Sequence, residues 1–138
     1  MKKRVVVTGI GVISSLGEDK NTFWKNVLEG VSGIATIEQF DVSDFDIQIG
    51  GEIKNFDFNK YSKKPDTKKY SRGSKLAIAA AISAVKDAKY TLKCLKKEKL
   101  PIIMGTTLGE VPLLEMIDKF WEKNGESDIY KSNVYGYP

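Results

Sequence analysis

The chain opens on "VVVTGIGVISSLG", residues 5–17, a β-branched run that breaks into glycines. Few features restrict a fold more: the run reads as a buried strand, and glycines at its end mark a tight turn or a close backbone approach. Three structures fit it. A dinucleotide-binding turn needs G-x-G-x-x-G, whose glycines let the backbone reach a pyrophosphate at a helix N-terminus. Gly9 and Gly11 match, but Ser14 stands at the third glycine position. The acidic residue expected about 20 positions on would be Glu29, which precedes Gly30 at what reads as a helix end rather than a strand tip. A secretory signal also starts with cations, here Lys2, Lys3 and Arg4, yet Thr8, Gly9 and Gly11 interrupt the apolar core that a signal needs. A buried strand over residues 4–8 entering a glycine turn asks least of the sequence.

The rest of the chain repeats that logic. "EDKNTFWKNVLEG" places Phe23, Trp24, Val27 and Leu28 at helical spacing, with Glu18 and Asp19 at the start and Gly30 to end the helix. "GVSGIATIEQFDVSDF" reads as a connection, and "DIQIGGEIKNFDF" as an extended, hairpin-like arm that alternates Ile47, Ile49 and Ile53 with polar residues. Pro65 suits a first helical turn, and the pattern from there to about Lys89 is helical. Ala77, Ala81, Ala84 and Ala88 share one face of that helix, small enough to let it lie close against another element. Gly73 weakens its interior by about 1 kcal/mol, which allows the first turns to form a separate short helix. "LPIIMGTTLG" is a second strand breaking into glycine, and Leu113, Leu114, Ile117, Phe120 and Trp121 form a last amphipathic helix that Gly125 can close. Strands alternating with helices imply an α/β layered architecture. The tail "DIYKSNVYGYP" carries Ile129, Tyr130, Val134, Tyr135 and Tyr137 with few charges, so these side chains are expected to be covered by more protein.

Composition removes several functions. The longest apolar stretch, residues 76–85, is about half of a membrane span. The single cysteine, Cys94, leaves no internal disulfide and fits a reducing, cytoplasmic compartment. Histidine is absent, which removes the commonest general base and the commonest zinc ligand from this chain's repertoire. No motif for a cofactor or metal stands out.

Charge is concentrated. Residues 60–75 hold Lys60, Lys63, Lys64, Lys68, Lys69, Arg72 and Lys75 against Asp66 alone, a net +6 in a chain whose total is +4. On a helix running from Pro65, the positions Lys64, Lys68, Arg72 and Lys75 form one stripe with Lys69 at its flank. Such a stripe suits an acidic partner or is a solvated face. Tyr61 and Tyr70 interleave with it, but no nucleic-acid-binding motif accompanies them.

Five blocks in order, "RVVVTGIGVISSLG", "FWKNVLEGVSGI", "FDVSDFDIQIGGEIKNFDFNKY", "KKYSRGSKLAIAAAISAVKDA" and "IIMGTTLGE", resemble the N-terminal part of β-ketoacyl-acyl-carrier-protein synthases, the elongating synthase II-like branch most. The resemblance covers nearly the whole chain, so residues 1–138 are expected to be an incomplete domain: the N-terminal portion of the first half of a thiolase-like fold, which usually dimerises. In that family the TGIG segment is a core strand and turn that binds no nucleotide. The family's reaction is a decarboxylative Claisen condensation. A cysteine thiolate accepts an acyl group from a carrier protein, and malonyl carrier protein loses carbon dioxide to give the attacking enolate. Two histidines and an oxyanion hole of backbone N–H groups stabilise the charge that develops.

The resemblance places all of those groups in segments that follow Pro138, so it assigns no catalytic residue here. Cys94, in "TLKCLKKEK", lies far from the small-residue context of the family's nucleophile, and it reads as inert. Family members dock the acidic acyl carrier protein on basic residues of the helix that "KKYSRGSKLAIAAA" resembles. That implies a docking set of Lys64, Lys68, Lys69 and Arg72, with Lys68 and Lys69 matching best and Pro65 standing where a further cation often occurs. The "GTTLGE" loop resembles one that borders the acyl pocket near the dimer interface, which implies that Leu108 touches a bound chain; Glu110 stands where the family tends to have glycine. The partners implied are the carrier protein and a C-terminal ketosynthase portion or second subunit. The alternative is a non-catalytic, ketosynthase-like module that binds carrier protein or pairs with an active synthase.

Overall fold

The computed structural model describes residues 4–63, 70–91, 100–107, 109 and 111–124. The first helix, α1, spans Lys20–Leu28. Asp19 caps it in an extended conformation, accepting from the backbone N–H of Asn21 at 2.9 Å and Thr22 at 3.0 Å and from the Thr22 hydroxyl at 2.7 Å. Those bonds hold the Asp19 carboxyl below its ordinary range, the Thr22 hydroxyl first. At the other end Gly30 takes φ +67°. Its N–H reaches the Val27 carbonyl while the Val31 N–H reaches Asn26, the paired bonds of a Schellman stop.

The connection after α1 supplies a strand that the sequence pattern did not signal. β1 (Ala35–Thr36) pairs antiparallel with β2 (Ile49–Gly50), Ala35 opposite Gly50 and Thr36 opposite Ile49. The Ile37 N–H extends the pairing to the Gln48 carbonyl. The arm is therefore a hairpin, but half of it lies upstream of the alternating isoleucines. Glu52 staples its base by accepting from the N–H groups of Glu38 and Gln39, and Lys54 pairs with Glu38 at 2.8 Å.

α2 spans Arg72–Asp87 and begins later than the pattern suggested. Ser71 is its N-cap, at φ −63° and ψ 167°, so helical geometry does not continue back through it toward Pro65. A third described helix, α3, spans Val111–Asn124. Gly125, Cys94 and the tyrosine-rich tail lie outside the described residues.

The first strand-to-glycine segment crosses α2 at very short range. A Cβ on Gly9 would lie 2.2 Å from the Ala84 carbonyl oxygen, and one on Gly11 would lie 1.9 Å from that of Ala80. The small face that meets it is Ala80, Ala84 and Ala88; Ala81, expected there, is exposed. Asp87 locks the crossing by accepting from the Ile10 N–H at 3.0 Å and from the Lys20 ammonium on α1. The Lys20 hydrogen bond first, and the Ile10 N–H next, hold the Asp87 carboxyl below its usual value.

Two expected strands are not paired among the described residues. Residues 4–8 and 102–104 find no ladder partner among the described residues, and Val5 and Ile103 are 93% and 94% exposed. Strand structure is held by hydrogen bonds to a neighbour, and the described residues supply none to these apolar runs. Coverage is equally open on α1, where Trp24 and Leu28 of the apolar face are exposed. The buried apolar residues among those described are Val42, Phe58 and Ala79.

Candidate functional site

The basic segment is bracketed by two anchored elements. Upstream, Asp57 caps a 3-10 turn, Phe58–Lys60, by accepting from the Asn59 N–H at 2.9 Å. Phe58 is buried, and Phe56 stacks on Tyr61 with ring centroids 5.9 Å apart. The Tyr61 hydroxyl donates to the Glu18 carbonyl at 3.2 Å, and burial, with Glu18 nearby, pushes the phenol above its ordinary value. Downstream, the Ser71 hydroxyl caps α2 by accepting from the Ser74 N–H.

Arg72 joins α2 to the arm. Its Nη2 donates to the Ile53 carbonyl at 2.6 Å, and its charge helps keep the Glu52 carboxyl low, behind the larger effect of the Glu38 N–H. A cavity of about 320 Å³ opens between the 3-10 turn and the start of α2, lined by Phe56, Asp57, Phe58, Asn59, Arg72 and Lys75.

Of the residues assigned to docking, Arg72 stands on this surface, while Lys64, Lys68 and Lys69 lie outside the described residues, as does Leu108. The single stripe derived from a helix starting at Pro65 is corrected: the start of α2 at Arg72 leaves only Arg72 and Lys75 of it on one described helix. Sequence reasoning missed the Ile53 carbonyl and the two phenylalanines. The "NFDFNKY" run did hold a signal for the turn, since Asp two residues before an amide donor favours an Asx cap.

The nucleotide reading of the opening glycines does not survive the geometry. Gly9 and Gly11 face the carbonyl oxygens of Ala84 and Ala80, which repel phosphate, and the next helix starts at Lys20 rather than at the glycines. A second cleft, about 400 Å³, separates the Ser14–Gly17 turn from the arm; Glu18, Glu52 and Lys54 help line it.

A family model described as "Beta-ketoacyl synthase, N-terminal domain" matches residues 2–137. The chain belongs to the β-ketoacyl synthase family. Among its relatives, 3-oxoacyl-[acyl-carrier-protein] synthase 2 of Synechocystis sp. is 36% identical over 114 residues, covering 83% of this chain and 27% of that protein. The enzyme of the same name from Staphylococcus aureus (strain N315) is 34% identical over 117 residues, covering 85% and 28%. The solved ishigamide ketosynthase/chain length factor superposes with a TM-score of 0.78 at 30% identity, over 88% of this chain and 30% of that one. This β-ketoacyl synthase segment therefore has the N-terminal part of a thiolase-like α/β fold, and it spans little more than a quarter of the length of the curated relatives it matches.

Proposed function

We propose that this chain is the N-terminal segment of a β-ketoacyl-acyl-carrier-protein synthase of fatty-acid or polyketide synthesis, supplying framework and a landing surface for the carrier protein. The family match over residues 2–137 carries the reading. The nucleophilic cysteine and the two histidines of the condensation come from parts of the fold outside these 138 residues, since the sequence holds no histidine and Cys94 sits in a lysine-rich segment. The assembled protein works in the cytoplasm as a dimer.

Docking rests on charge. The net +6 of residues 60–75 favours an acidic partner, and screening by salt weakens such an encounter. Titration of acyl carrier protein against the chain at low salt tests it: binding lost in the Lys68→Glu, Lys69→Glu double variant supports docking, and binding unchanged by it removes docking. Catalysis is tested separately. The purified chain alone should release no carbon dioxide from malonyl thioesters, and decarboxylation by the chain alone overturns the division of labour.

A second reading, a non-catalytic module paired with an active synthase, draws support from the resemblance to a solved protein described as a ketosynthase/chain length factor. Co-purification with a complete, histidine-bearing synthase subunit favours it over the first reading.

A further inference from the structure

We infer that the cavity between the 3-10 turn and the start of α2 is a socket for one projecting acidic side chain of the carrier protein, with Lys75 as its counter-charge. The inference rests on the docking reading and names the point at which contact is made.

Three observations converge on the socket. Lys75 is half-buried on the cavity wall, and among the described residues no carboxylate lies within ion-pair distance of it. A cation partly removed from water without a counter-ion is a site where a carboxylate gains more than it does on an exposed surface. Arg72, which looks equivalent in sequence, is already committed: its Nη2 holds the Ile53 carbonyl at 2.6 Å, so it acts as a positioning residue that fixes the cavity wall to the arm. The carboxylate in the cavity, Asp57, accepts from both the backbone and the side-chain amide of Asn59 at 2.9 Å, which commits it to capping the 3-10 turn.

Shape supports the same occupant. Phe56 and Phe58 line the cavity together with Lys75, so a carboxylate carried on a methylene stem meets both apolar and cationic groups. The Phe56 ring is held by its stack on Tyr61, and Phe58 is buried, so the socket is preformed. A large acidic surface needs only diffuse positive charge, whereas this cavity selects a single projecting side chain. The surrounding lysines would supply encounter rate, and Lys75 would supply residence time.

Carrier-protein titration tests this with four variants. Lys75→Met keeps the stem and removes the charge, and it should weaken binding about tenfold, mainly in the dissociation rate. Asn59→Trp should have a similar effect by filling the cavity without changing charge. Lys25→Glu, on the exposed face of α1, should leave affinity within about twofold, which separates the socket from net charge. Helical circular dichroism equal to that of the parent chain certifies each fold. If the Lys68→Glu, Lys69→Glu variant weakens binding while Lys75→Met and Asn59→Trp do not, the socket is overturned and docking stands. If carrier protein fails to bind the parent chain at low salt, both fall.

Discussion

Gly11 lies so close to Ala80 that a single added carbon would sit 1.9 Å from the Ala80 carbonyl oxygen. Gly9 stands in the same relation to Ala84, at 2.2 Å. The opening segment and α2 are thus backbone-to-backbone neighbours, and the alanines opposite are what permits it. Gly11→Ala should therefore displace the segment and cost roughly 3 kcal/mol or more, because backbone atoms cannot rotate away as a side chain can. Gly105→Ala, where an added carbon meets nothing within 4 Å, should change stability by less than about 0.5 kcal/mol. Urea midpoints of the two variants check the contrast; equal midpoints would mean that the crossing is not maintained in solution.

Lys89 ends α2 with φ +56°, in the position where Gly30 ends α1 with φ +67°. Both helices make the same two closing bonds, the Lys89 N–H to Lys86 and the Tyr90 N–H to Val85 in the second case. A lysine there carries a left-handed strain of about 1 kcal/mol that glycine does not. Lys89→Gly should raise stability by about that amount, and Gly30→Ala should lower it similarly. Thermal midpoints read both.

Asp19 is the N-cap of α1, with three hydrogen bonds to its carboxylate. Asp19→Ala should cost about 1 kcal/mol, and Asp19→Asn much less, because an amide oxygen still accepts from the two backbone N–H groups. The α1 amide protons should exchange faster in the alanine variant alone.

Asp87 gives the crossing an acid limit. Its folded carboxyl lies below the ordinary value, so its contribution is fully present above about pH 4, the unfolded range, and is lost as pH falls through the lower folded value. Asp19, Asp41 and Glu52 are shifted the same way and add to the slope. Stability should thus fall on acidification below the ordinary carboxylate range, and Asp87→Asn should be weaker at neutral pH with a shallower acid decline. Parallel declines in the two proteins would sever Asp87 from the effect.

The sequence by itself determined the local events and the family. Asp19 and Gly30 bound α1 because capping and helix termination involve only a few neighbouring residues, and colinear blocks over nearly the whole chain carried the ketosynthase resemblance. It marked residues 4–8 and the apolar start of "LPIIMGTTLG" as strand material, but pairing is non-local, and among the described residues neither run meets a partner. A break in the helical run after Pro65 was legible only through Gly73, and it took the extended geometry of Ser71 to show that α2 is capped there. Tertiary structure alone decided that two neighbouring cations have different tasks. Arg72 and Lys75 are indistinguishable as charges in a basic run, and what separates them is a carbonyl 19 residues upstream that the fold brings to one and not to the other.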